Sequence, residues 1–108
     1  VSVLLFSLHN ETIRITIEAD FNSAGDLVVE GYDVGKTVEE YWGSSDYEYS
    51  FTVPSHELAN MYQAAQIPPE PEKLLAYLQQ HFNTNTCFSD LRNWLDKHNV
   101  YHEGFSWS

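Results

Sequence analysis

Basic residues are scarce in this chain: five Lys and Arg stand against sixteen Asp and Glu, for a formal net charge of -11. Binding a phosphate backbone or an anionic lipid surface requires clustered Lys and Arg to displace counterions, so direct nucleic-acid binding and membrane-surface binding are excluded as expectations. Cysteine is nearly absent. Cys87 alone permits no internal disulfide and fits a reducing compartment, so the reading is cytoplasmic. Long apolar runs are missing as well, since none approaches the ~20 residues of a membrane helix. The apolar opening at 1–6 is short and lacks a basic flank, which does not read as a signal peptide. No internal repeat, low-complexity tract or long linker divides the sequence, so 1–108 reads as a single domain. The chain is 43% hydrophobic and 15% aromatic. At this length roughly two-thirds of the unfolded surface is buried on folding, enough for one core without disulfides or a structural metal.

The first half alternates with a period of two. Ile13, Ile15, Ile17, Ala19 and Phe21 fall on one face, with Arg14, Thr16, Glu18 and Asp20 on the other, as in a half-buried strand. Apolar runs at 1–8 and 27–32 flank it across short turn-forming segments, His9-Asn10-Glu11 and Asn22-Ser23-Ala24-Gly25-Asp26, which suit hairpins. Tyr47, Tyr49, Phe51 and Val53 alternate with Asp46, Glu48, Ser50 and Thr52 in a fourth strand that Pro54 stops. Between the third and fourth strands, 36–42 carries Val38, Tyr41 and Trp42 at helical spacing before Gly43, predicting one or two helical turns.

The second half changes to the 3.6 period. Ser55 is positioned to cap a helix bearing Leu58, Met61 and Tyr62, with Glu57 in its first turn, and Gln66-Ile67-Pro68-Pro69 ends it. Pro71 opens a second helix with Leu74, Leu75, Leu78 and Phe82, and a third carries Leu91, Trp94, Leu95 and His98. Trp94 reads there as a core anchor. The tail alternates again at Phe105 and Trp107. Strands first and helices second predict an α+β fold: an antiparallel sheet of about four to five strands with three main helices, mostly C-terminal, packed on one face.

The unusual stretch is 33–49, where acids and large aromatics interleave. Tyr and Trp give broad contact area at small entropic cost, and carboxylates pair bidentately with arginine, so Asp33, Glu39, Glu40, Trp42, Asp46 and Glu48 are the candidate partner-binding residues. The alternation of Tyr47, Tyr49 and Phe51 against Asp46, Glu48 and Ser50 assigns those three aromatics equally well to a core. Trp42, flanked by acids and followed by Gly43-Ser44-Ser45, is the better contact aromatic. Acid-base catalysis by paired carboxylates needs one of them desolvated. Glu39 and Glu40 diverge by about 100° on a helix and Asp46 and Glu48 share a wet strand face, so no catalytic residue is assigned.

His98 and His102 are four apart with Glu103 adjacent, but Asn99 and Gly104 oppose a continuous helix, and no metal or cofactor is expected. Asp33-Val34-Gly35 does not extend into a calcium loop, and Gly31-Tyr32-Asp33-Val34-Gly35 lacks the third glycine and the base of a phosphate cradle. Cys87, at the start of the last helix, is the one conceivable nucleophile, although Thr86 and Phe88 beside it suggest a small apolar filler.

The segment Val29-Glu30-Gly31-Tyr32-Asp33-Val34-Gly35, followed by Val38-Glu39-Glu40-Tyr41-Trp42-Gly43 and Asp46-Tyr47-Glu48-Tyr49, resembles a motif of small, mostly uncharacterised bacterial proteins. The likeness spans residues 17–53. Those proteins resemble the toxin-neutralising immunity class in size, acidity and α+β design, which implies a bacterial cytosolic accessory protein and carries over no catalytic residue. The function expected is a non-catalytic acidic protein that neutralises a basic partner, a toxin or nuclease, as an immunity protein does. The alternatives are a phage-type DNA-mimic inhibitor of a nuclease, restriction or CRISPR complex, and a small hydrolase using carboxylates between Asp33 and Glu48, with or without a metal.

Overall fold

The computed structural model describes residues 2–35 and 46–107, with Trp107 described by its backbone alone. The helical turns expected over 36–42, and with them Glu39, Glu40 and Trp42, lie outside the described residues. Within these bounds the chain forms an antiparallel five-stranded sheet whose order follows the sequence: β1 (Val3–His9), β2 (Ile13–Phe21), β3 (Leu27–Gly35), β4 (Asp46–Val53) and β5 (Glu103–Trp107). Three helices, α1 (Leu58–Ala65), α2 (Pro71–His81) and α3 (Cys87–Lys97), intervene between β4 and β5. The fold is α+β, as the two periodicities require. Among the described residues no helix is long and apolar enough to cross a membrane.

Asparagines fix the first two turns. Asn10 Oδ1 accepts the N–H groups of Thr12 and Ile13, while Asn22 Oδ1 accepts those of Ala24 and Asp26. Gly25, at φ +84°, supplies the left-handed residue that the second turn needs. At the far end of β3, Gly35 adopts φ +142°, and a side chain there would strike the Thr12 carbonyl. These turns set the register Ile17 to Gly31 and Ala19 to Val29, which continues as Val29 to Phe51 and Gly31 to Tyr49.

Register then fixes the faces. Ile17, Ala19, Leu27, Val29, Phe51 and Val53 all lie on one side of the sheet and are buried together with Met61, Leu74, Leu78, Leu91 and Leu95 of the helices. β1 joins this layer through a register shift between Leu4 and Phe6 that inserts Leu5 into the core. Trp94 is partly buried and closes one flank, with its ring centroid 5.9 Å from Phe82 and 4.9 Å from His98.

The helix ends follow the sequence with one exception. α1 and α3 stop at Gln66 and Asn99, both left-handed, and the next residue donates its N–H five residues back, Ile67 to Tyr62 O and Val100 to Leu95 O. Pro71 occupies the first turn of α2 as expected. Ser55 does not cap α1. It starts a 3-10 turn over Ser55–Glu57 and donates its N–H to Asp26 Oδ1 at 2.8 Å, so the α-helix begins at Leu58. The β2–β3 turn captures the residue that local propensity assigned to the helix. Glu57 works at longer range, accepting the Tyr101 N–H at 2.9 Å and tying the start of α1 to the approach to β5.

Candidate functional site

The helices cover one face of the sheet, and the other presents alternate side chains outward. Across it, Leu4, Glu18, Glu30, Ser50 and Phe105 form one row, and Ser7, Thr16, Tyr32 and Glu48 the next. Both rows border an open hollow of about 360 Å³ in which Glu18, Glu30 and Glu48 converge, with Gly31 in its lining and Tyr32 and Phe105 at its sides. Phe105 is 65% exposed, the most exposed large hydrophobic among the described residues, and Tyr32 is 39% exposed.

The electrostatics of the hollow are one-sided. Glu18 and Glu30 stand directly opposite each other on neighbouring strands, and like charges in that position destabilise a sheet. No base lines the hollow, and none of the three glutamates forms an ion pair among the described residues. Arg14 shares this outward face but pairs with His9 and Val34 toward the other end of the sheet. Tyr32 donates a hydrogen bond to Asp46 Oδ2 at 3.4 Å. Desolvation at the sheet surface and the carboxylates of Asp46 and Glu48 raise its phenol above the ordinary value.

The expected contact residues are therefore divided. Asp46 and Glu48 lie on the outward face, whereas Asp33 lies on the helix-covered side, half-buried, and accepts the Tyr49 hydroxyl at 2.7 Å. Tyr49 packs edge-on against Phe88, centroids 4.7 Å apart, and its ring lies over Gly31 where any side chain would collide with it. Of the two carboxylate pairs weighed for acid-base work, Asp46 and Glu48 share the outward face, Glu39 and Glu40 lie outside the described residues, and Asp33 is on the opposite side of the sheet. Glu18, Glu30, Tyr32 and Phe105 were not singled out from the sequence. Their signal was present in the alternation, since Glu18 and Glu30 carry the polar parity of their strands.

Burial raises the Asp33 carboxyl, and the Tyr49 hydrogen bond only partly opposes that rise. A carboxyl with a higher folded than unfolded pKa stays protonated longer in the native state, so its ionisation lowers stability as pH rises through the folded value. Asp33→Asn keeps an acceptor for Tyr49 and removes that cost. The variant is expected to melt higher than the parent at neutral pH and level with it near pH 3, as thermal unfolding at both pH values would show. A lower melting point at neutral pH would instead assign Asp33 a stabilising charge interaction.

Cys87 is fully buried, and its thiol is pushed up to about 11 by desolvation and the nearby Asp90 carboxylate. It is a neutral packing group at physiological pH. His98 makes a tilted ring contact with Trp94, whereas His102 packs on Phe51, bonds the Val100 carbonyl through Nδ1 and lies 3.6 Å from Asp96. Among the described residues no three His, Cys, Asp or Glu side chains come together as a metal site. The chain matches no protein family, curated protein or solved structure.

Proposed function

We propose that this chain is a non-catalytic acidic binding protein that neutralises a basic protein partner in the cytoplasm, as a toxin-neutralising immunity protein does, and that the outward sheet face is its contact surface. The observation that carries the reading is the opposition of Glu18 and Glu30, with Glu48 beside them and no base in the hollow. Like charges so placed cost the isolated fold stability, and a partner's arginine or lysine supplies the missing countercharge. Exposed Tyr32 and Phe105 add the aromatic area on which such contacts anchor. Asp46 and Glu48 belong to this surface, and Glu39, Glu40 and Trp42, outside the described residues, remain proposed partner-binding residues.

The test is capture from native cytosol at low salt by the parent protein and by a Glu18→Gln, Glu30→Gln, Glu48→Gln variant. The parent is expected to retain a basic protein that the variant loses. Single exposed substitutions shift stability by only about 0.5 kcal/mol, so the variant should fold normally. Equal capture by both would remove this face from the account.

A further inference from the structure

The two edges of the sheet differ. At the β1 edge the strand is bulged, and Gln79 of α2 donates its side-chain amide to the Leu4 carbonyl. β5 has neither device. Gly104, Phe105 and Ser106 are exposed, and no strand among the described residues pairs with their outer side. Ladder alternation identifies the free groups. Asn22 donates its N–H to the Asp26 carbonyl at the β2–β3 turn, and regular pairing from there across β3 and β4 directs Phe105 toward β4. The N–H and C=O groups of Gly104 and Ser106 then point away from the sheet.

This edge separates two hollows. Phe105 borders the acidic one on the outward face and also a cleft of about 600 Å³ on the helix side. In the cleft the Arg92 guanidinium lies against Gly104 and forms no ion pair among the described residues. We infer that β5 is a docking edge, and that an extended basic segment of the partner adds to it as a sixth, antiparallel strand. The inference rests on the basic-partner reading and specifies how that partner binds.

An added strand would lie about 4.8 Å beyond β5, with alternate side chains on opposite faces. Its outward residues meet Glu103 and Phe105, and long basic side chains there extend toward Glu48. Its inward residues enter the cleft, where Arg92 favours hydrogen-bond acceptors over a second cation. The pattern selected is basic and polar residues in alternation, and charge complementarity on the outward side argues for a foreign segment over a second copy of this acidic chain.

The test uses a blocked synthetic peptide of alternating lysine and threonine, titrated at low salt into the full chain while backbone amides are followed by NMR and hydrogen exchange. The Gly104 and Ser106 amides are expected to become protected from exchange. Ser106→Pro removes an outward N–H without touching the β4 ladder and is expected to weaken binding by about tenfold or more. Protection of both amides in the parent supports the inference even if that variant fails to fold.

Binding that shifts only the Glu18, Glu30 and Glu48 region, with Ser106→Pro unchanged, would overturn edge pairing and leave the acidic-face reading standing. Absence of peptide binding would also overturn it, with the capture experiment deciding the broader reading separately. Edge protection that instead grows with protein concentration, without peptide, would give the edge to a second copy.

Discussion

Phe51→Ala is expected to cost about 3 to 5 kcal/mol of folding stability, through the lost transfer of the ring from water and the cavity left behind. Phe51 is fully buried in β4, between β3 and β5, and its ring meets Phe88 of α3 at 5.2 Å and His102 at 5.6 Å. The site therefore joins the sheet to the helical layer, and few neighbours are free to collapse into the space. Small domains hold about 5 to 15 kcal/mol in total, so the variant should unfold at much lower urea with a similar denaturant slope. A loss below about 1 kcal/mol would show that α3 can resettle on the sheet and that the core is less tightly specified than its burial indicates.

The second large effect concerns the rate of association with the proposed basic partner. A net charge of -11 on a small body steers an oppositely charged protein and raises the association rate by about 10 to 10³-fold at low salt. Screening shortens that field to about 8 Å at 0.15 M and about 3 Å at 1 M ionic strength. Stopped-flow association is therefore expected to slow steeply between low and high salt, while dissociation changes far less. An association rate flat across that range would exclude electrostatic steering, even if the complex still formed.

Much of the fold was legible because two simple periods dominate the chain. Ile13 through Phe21 state their own inward face, Tyr47, Tyr49 and Phe51 state theirs, and the helical leucines enter the core at their expected spacing. The start of α1 was not legible, since Ser55 is held by Asp26, a partner 29 residues away. Which of the acidic and aromatic residues share a face was only partly legible. Residues 33–49 looked like one acidic-aromatic surface because they are close in sequence, yet Asp33 shares the parity of Val29 and Gly31 and therefore faces inward. The confrontation of Glu18 with Glu30 depends on cross-strand register, which the turn at Asn22 through Asp26 sets and no single strand contains.

The order of strands in the sheet also governs how the acidic hollow is assembled. β1 to β4 lie side by side in the order they are made, and the turns joining β1, β2 and β3 are short. Their ladders close at small entropic cost, whereas β5 reaches β4 only across the whole helical half. The glutamates on β2, β3 and β4 thus belong to the part of the sheet with the most local contacts. Tyr32 belongs with them on β3, whereas Phe105 reaches the rim only with the most distant ladder, so the two aromatic sides of the hollow depend on contacts of very different sequence separation.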